Sequence, residues 1–242
     1  MSDNGPLSEL FAHHLRELRR RVGVSLLAVV CAAAVIYPLR LPISRFLCRP
    51  LAARMEGFDG LVYTNLPEAF IAYIKLAAIL GLLVASPVLI FNLWRFVAPG
   101  LKPGERSAGF RAVLAGSLLF FAGVAFYYLV ALPRIIAFFL WFEGGRFEPV
   151  IKLGRYLGFV ARGGLAFGIA FEIPFLVAAA IRIGLVRREY FREKRFSFYF
   201  ALLLIAFLLA GGDFAATVFL FFPLLFLQEL GVLLAGPGRG DE

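Results

Sequence analysis

The sequence predicts an all-α integral membrane protein, in which six transmembrane helices form a single domain over residues 1–242. Hydrophobic residues make up 61% of the chain and charged residues 17%, and the mean hydropathy is +0.85. Soluble domains are about 45–50% apolar and about 25% charged, so this chain has too few charges to cover a water-facing surface. The apolar residues also occur in long runs, which are typical of membrane-spanning helices.

Residues 1–21 predict an amphipathic helix that lies on the membrane surface. Leu7, Leu10 and Leu18 recur at helical spacing, whereas Glu9 and Arg16 fall on the opposite side. The apolar run that follows is too long for the core of a cleavable signal peptide. We therefore expect it to be retained as the first span.

The remaining spans follow from the apolar runs and the prolines that punctuate them. Pro133 is expected to close the third span, and Pro174 to interrupt the fourth near its inner end. The proline-rich segment after the first span predicts a structured external cap with short helices. The fifth span is shorter than the roughly twenty residues that a bilayer requires, which predicts local thinning. The six predicted spans cover residues 22–41, 70–96, 110–132, 156–181, 196–210 and 214–235.

The distribution of basic residues predicts the orientation. One side of the predicted membrane, which includes both termini, holds fifteen lysines and arginines, and the other side holds eight. Short cytoplasmic loops are enriched in these residues, so both termini are expected in the cytoplasm. This enrichment explains the net charge of +9 better than a nucleic-acid partner would. The chain also has no motif that indicates nucleic-acid binding.

Glu172 is the most informative polar residue, because it lies deep in the fourth predicted span. A charged side chain at mid-bilayer costs about 2.5–3.5 kcal/mol on insertion scales for comparable residues. One interpretation is a contact with a polar group of a partner helix, or a proton or substrate path. The other is a protonated carboxyl that is hydrogen-bonded inside the bundle. A secondary transporter that uses Glu172 as its coupling carboxylate is the alternative function, although the internal repeat typical of many such transporters is not evident.

Other polar residues do not form a catalytic or metal-binding pattern. Asp213 starts the sixth predicted span, where aspartate is a good helix cap. His13 and His14 are adjacent and therefore point to different helix faces. Glu17 and Glu105 each stand among basic residues, and by spacing alone they are ordinary ion pairs worth about 0–1 kcal/mol. We expect neither an enzyme nor a cofactor or metal site.

Several motifs, in this order and spacing, resemble one known family. They run from about residue 14 to residue 229 and are specific in combination. They comprise His14-Leu15-Arg16-Glu17-Leu18-Arg19-Arg20-Arg21, Pro67-Glu68-Ala69-Phe70, Ser86-Pro87, Trp94-Arg95-Phe96-Val97-Ala98-Pro99-Gly100-Leu101, Glu105-Arg106, Tyr128, Pro133, Phe167-Gly168-Ile169-Ala170-Phe171-Glu172-Ile173-Pro174, Asp213, Pro223 and Glu229. The chain resembles the C subunit of twin-arginine protein translocases.

The resemblance implies both an architecture and a function. It implies six spans in a curved, glove-like bundle in the cytoplasmic membrane of a bacterial or archaeal cell. The chain would be a receptor for signal peptides that carry two adjacent arginines. It would also be the core subunit of a translocase that exports folded proteins, driven by the proton-motive force. Its partners would be those peptides, the single-span subunits of the same system and the lipid bilayer.

The resemblance also assigns roles to individual residues. Glu17 and Glu105 would meet the two signal-peptide arginines, with Arg19 and Phe96 beside them. A second group of residues would contact partner helices or be otherwise sensitive to change: Glu172, Phe171, Pro87, Tyr128 and Asp213. Two departures from the family pattern, Gly211-Gly212 before Asp213 and Thr217, leave the role of the last helical hairpin open.

Overall fold

The computed structural model describes residues 6–55, 57–97, 109–143, 150–182, 193–209 and 214–234. Within these ranges every regular element is a helix, apart from one isolated bridge between Val62 and Lys152. The prediction of an all-α protein is thus confirmed. The helices are α1 (Pro6–Ile36), α2 (Arg40–Ala52), α3 (Leu66–Val97), α4 (Gly109–Phe126), α5 (Leu132–Glu143), α6 (Leu153–Arg182), α7 (Arg195–Leu209) and α8 (Phe214–Leu234).

Four stretches of the described residues are long and apolar enough to cross a membrane. They are Arg16–Ala52, Leu66–Arg95, Val113–Phe142 and Leu153–Val177. The two C-terminal helices are apolar but shorter by the same measure. With 15 residues, α7 spans about 22 Å, which is less than the roughly 30 Å of a hydrocarbon core.

The N-terminal amphipathic segment and the first span form one helix. α1 runs from Pro6 to Ile36 without a break at the arginine cluster, whereas the sequence suggested a separate surface helix. A 3₁₀ turn at Tyr37–Leu39 then leads into α2. Pro38 suits this turn because its fixed φ is compatible with the first positions of a helix. The last two residues of the predicted first span, Arg40 and Leu41, therefore belong to α2.

The third span does not end at Pro133, as the sequence predicted. The helical path continues from α4 through a π-helical turn at Tyr127–Ala131 into α5. In this turn the backbone N–H of Leu132 donates to the carbonyl of Tyr127, five residues earlier. Proline lacks an N–H and clashes with the carbonyl four residues before it, and the wider π turn accommodates both effects. α6 covers the predicted fourth span, but the helix is not interrupted at position 174 and continues to Arg182.

α6 is the central helix of the described structure and packs against α3, α4 and α8. Leu157 and Ala170 of α6 are fully buried, and Phe167 is almost so. Glycines allow α4 and α6 to approach closely: a Cβ atom at Gly123 would lie 2.6 Å from the carbonyl oxygen of Phe167. Small residues at such contacts are typical of helix packing in membranes, because helix association there depends on van der Waals contact rather than on the hydrophobic effect.

Two tyrosines hold α2 against the helical bundle. The hydroxyl of Tyr128 donates to the carbonyl of Phe46 at 2.6 Å, and that of Tyr156 donates to the carbonyl of Leu47 at 2.9 Å. The rings of Tyr128 and Phe46 also stack, with centroids 4.6 Å apart. These contacts hold α2 against the bundle. Because α2 follows α1 after a single 3₁₀ turn, it lies near the C-terminal end of α1.

We predict that Gly123→Ala lowers the thermal unfolding midpoint of the purified protein in detergent. The added methyl group would collide with the Phe167 carbonyl and the ring of Phe171, which lie 2.6 and 2.8 Å from the Cβ position. Overpacking of this kind costs about 1–3 kcal/mol. Gly23→Ala is the matched control, because nothing lies within 4 Å of its Cβ position. Equal midpoints for both variants would contradict the close α4–α6 contact.

Candidate functional site

Glu17 lies on α1 and is paired with Arg21, one helical turn later. Nε of Arg21 donates to Oε1 of Glu17 at 3.2 Å, and the Nη2 atom contacts the same oxygen. The Glu17 side chain is 31% exposed to solvent. The nearby Arg19 and Arg20 are exposed as well. Glu17 is therefore a partly accessible carboxylate within a cluster of positive charge.

The packing of α1 against α3 fixes which residues lie level with Glu17. Nδ2 of Asn92 donates to Oγ of Ser25 at 3.0 Å. Farther along, a Cβ at Gly81 would lie 2.8–2.9 Å from backbone and side-chain atoms of Ala33. The helices are thus antiparallel in one register, and Arg21 lies near the level of the last turn of α3.

In this register Arg19 of α1 and Phe96 of α3 lie toward the same end of the bundle. Phe96 belongs to the last turn of α3, next to Arg95, whose guanidinium lies 5.6 Å from the ring centre of Phe91. Glu105 and Asp213 lie outside the described residues. The structure therefore describes one of the two predicted carboxylates, Glu17, which lies on α1 one turn from Arg21.

A second site surrounds Glu172 on α6. A Cβ at Gly116 of α4 would lie 3.2 Å from Oε2 of Glu172 and 3.4 Å from Cγ2 of Ile90 on α3. The carboxyl group therefore lies where α3, α4 and α6 meet. Its Oε1 atom is buried and has no hydrogen-bond partner.

Two serines on the neighbouring helices have the same property. The Oγ atoms of Ser86 and Ser117 are also buried without a hydrogen-bond partner. Ser117 follows Gly116 on α4, and Ser86 lies one turn before Ile90 on α3. Sequence reasoning missed both serines as site residues. In the sequence each serine is a single small polar residue within an apolar run. That pattern does not indicate which neighbouring helix the side chain faces.

The other residues that the resemblance singled out have structural contacts. Phe171 is buried beside Gly123, and its ring centre lies 5.6 Å from that of Phe126. Tyr128 holds α2, as described above. Pro87 lies within α3 and is half-buried. Phe171 and Pro87 belong to α6 and α3, two of the three helices that meet at Glu172.

A further link joins the two C-terminal helices. Glu229 of α8 accepts a hydrogen bond from the Tyr199 hydroxyl and forms an ion pair with Arg195 at 3.4 Å. Thr217 and Gln228 of α8 are buried. Among the residues that the structure describes, no group of His, Cys, Asp and Glu could hold a metal ion.

Comparison with known proteins identifies the family. The sequence pattern of Sec-independent protein translocase protein (TatC) matches residues 13–223. The chain belongs to the TatC family. It is 31% identical over 224 residues to the TatC protein of Carboxydothermus hydrogenoformans, covering 92% of this chain and 90% of the relative. It is 33% identical over 229 residues to that of Magnetococcus marinus, covering 95% and 83%.

Solved TatC structures agree with the helical arrangement. A crystal structure of the twin-arginine translocase receptor TatC in the detergent DDM superposes with a TM-score of 0.79 at 29% identity. The superposition covers 92% of this chain and 99% of that one. A second TatC crystal structure gives a TM-score of 0.80.

TatC membership confirms the resemblance deduced from the motifs. The chain is a component of a protein translocase of the bacterial cytoplasmic membrane, and it is therefore a transport protein. The secondary-transporter alternative gains no support from these matches.

Proposed function

We propose that this TatC protein is the receptor for signal peptides with two adjacent arginines and the core of a translocase for folded proteins. Transport would be driven by the proton-motive force. The observation that carries the receptor role is the α1–α3 register, set by the hydrogen bond from Asn92 to Ser25. This register supports the proposal because Arg21, one turn from Glu17, lies near the level of the last turn of α3, and Glu105 follows Val97 by eight residues in the sequence.

Each carboxylate then takes one guanidinium of the arginine pair. The planar fork of arginine can donate two parallel hydrogen bonds to a carboxylate, whereas lysine offers a point charge on a flexible stem. In the free protein Arg21 contacts Glu17. A partly exposed pair of this kind is worth about 0–1 kcal/mol, so an incoming arginine can displace it. The exposed Arg19 and Arg20 disfavour ligands that carry only diffuse positive charge.

We predict that Glu17→Ala and Glu105→Ala each weaken binding of a twin-arginine peptide by about ten- to a hundredfold. The reason is the loss of a charge-assisted hydrogen bond, which contributes about 1.5–3 kcal/mol. Titration of the peptide against the purified variants measures the effect. Added salt should reduce the difference, because exposed charges are screened.

A lysine-pair peptide and the variant Glu193→Ala are the controls. Glu193 is an exposed carboxylate on the α7 side of the chain, and its loss removes the same charge without touching the proposed site. If Glu17→Ala and Glu105→Ala kept wild-type affinity and the preference for arginine over lysine, recognition would have to lie elsewhere.

We further propose that Glu172 binds a polar side chain of a single-span partner subunit. Three buried oxygens, Oε1 of Glu172 and the Oγ atoms of Ser86 and Ser117, have no partner within the described chain. An unpaired polar group in hydrocarbon is costly. A polar side chain from an approaching helix would relieve that cost and orient the helix against α3, α4 and α6.

We predict that Glu172→Ala weakens partner co-purification by about three- to twentyfold, whereas Glu172→Gln keeps most of it. An interhelical hydrogen bond in a membrane is worth about 0.6–1.7 kcal/mol, and glutamine retains a donor and an acceptor. Binding of the twin-arginine peptide should be unchanged in both variants. Normal partner association and transport in Glu172→Ala would leave this carboxyl with a packing role only.

The proposed topology has six spans, with both termini in the cytoplasm. Its support is the excess of basic residues on the side that includes the termini. In this topology α7 and α8 are the fifth and sixth spans of the curved bundle. The short α7 would thin the bilayer on its side.

A further inference from the structure

α2 has an exposed face that its role in holding the bundle together does not explain. Ser44, Leu47 and Leu51 form its buried face. Arg45 and Arg49, four residues apart, lie on the opposite side and are exposed. Residues separated by four positions are neighbours on a helix surface, so the two guanidinium groups point outward together.

Exposed apolar side chains flank these arginines. Leu41 and Phe46 of α2 are 51% and 45% exposed, and Leu39 at the end of the preceding 3₁₀ turn is 51% exposed. The guanidinium carbon of Arg49 lies 5.5 Å from the centre of the Phe46 ring. Helices that lie in a membrane interface combine basic residues on one face with large apolar residues on the other, and α2 has exposed side chains of both kinds.

α2 itself carries only positive charges. Its residues 40–52 include three arginines and no aspartate or glutamate, and the next acidic residues along the chain are Glu56 and Asp59. In the part of the chain that the structure describes, ion pairs join Arg21 to Glu17 and Arg195 to Glu229, and neither Arg45 nor Arg49 takes part in them. The two guanidinium groups can therefore bind an external anion.

The position of α2 suits the headgroup level of a bilayer. The helix begins just after the end of α1 and is held there by Tyr128 and Tyr156. Tyr37, Tyr73 and Tyr128 lie near it: Arg40 is within 6 Å of the first two rings, and Phe46 stacks on the third. Tyrosines concentrate at membrane–water interfaces, where the ring is in apolar surroundings and the hydroxyl is wet.

We propose that the exposed face of α2 binds the phosphate groups of anionic phospholipids in the leaflet that the C-terminal end of α1 reaches. Arg45 and Arg49 donate to the phosphate oxygens, a geometry that the guanidinium fork favours. Leu39, Leu41 and Phe46 contact the upper part of the acyl chains. The interleaved apolar residues favour a lipid over an acidic protein segment or free phosphate, which offer them no hydrocarbon.

The test is native mass spectrometry of the full chain in detergent, with phosphatidylglycerol or phosphatidylcholine of identical acyl chains added. We expect phosphatidylglycerol to bind more tightly. Arg45→Gln/Arg49→Gln should lose about fivefold in affinity for each arginine, because a basic residue near an anionic surface contributes about that factor. Arg45→Lys/Arg49→Lys keeps both charges and should retain part of the preference.

Arg134→Gln/Arg155→Gln is the matched control, because it removes two exposed charges outside α2. This variant should bind phosphatidylglycerol as the unchanged protein does. Equal binding of the two lipids, or equal losses in both double glutamine variants, would overturn the proposal. Competition by inorganic phosphate or by an aspartate-rich peptide as effective as that by the lipid would assign the face to those ligands instead, and would also overturn it.

Discussion

The close antiparallel contact between α1 and α3 is the constraint on which the proposed recognition site depends. Between helices in lipid the hydrophobic effect offers no net attraction, so association depends on close packing and interhelical hydrogen bonds. Gly81 provides the first, because its missing side chain leaves room for Ala33. The bond from Asn92 to Ser25 provides the second and sets the register. As a consequence Arg21, one turn from Glu17, lies near the level of the last turn of α3.

The same physics organises the other half of the molecule around α6. Gly123 and Gly116 of α4 allow α6 to approach until backbone and side chains touch. This approach brings the Glu172 carboxyl against α3 and α4, next to helices that carry unpartnered serine oxygens. A bundle that packs closely through glycine thus also encloses polar groups, and under the proposed function a polar side chain of a partner helix would pair with them.

Composition and periodicity were sufficient to predict the all-α membrane fold, because long apolar runs have few alternative structures in lipid. The predicted end of the third span at Pro133 was wrong. The π turn before Pro133 accommodates both the missing backbone N–H and the steric clash of the proline ring, so the helix continues. Composition and periodicity also separated the N-terminal amphipathic segment from the first span, although no residue there breaks the helix. In both cases a local feature, a proline or a cluster of arginines, suggested the end of a helix, and the structure shows that the helix continues through it.

The site was less accessible to sequence reasoning than the fold. Glu172 was identifiable because a carboxyl in an apolar run has a known cost. Glu17 was identifiable only through the family motifs, since its local spacing with Arg21 is that of an ordinary ion pair. Ser86 and Ser117 were missed because their importance depends on which helices surround them, and that information is tertiary.

The register between α1 and α3 is the central claim, and thiol cross-linking tests it most directly. In a background with Cys31 and Cys48 replaced by alanine, Ser25→Cys/Asn92→Cys should be joined efficiently by a short bis-methanethiosulfonate reagent, because the native side chains are hydrogen-bonded. Val24→Cys/Asn92→Cys should react poorly, since Val24 is 48% exposed and is not bonded to Asn92. Equal cross-linking of the two pairs, or preference for the second, would contradict the register and the placement of Arg21 near the level of the last turn of α3.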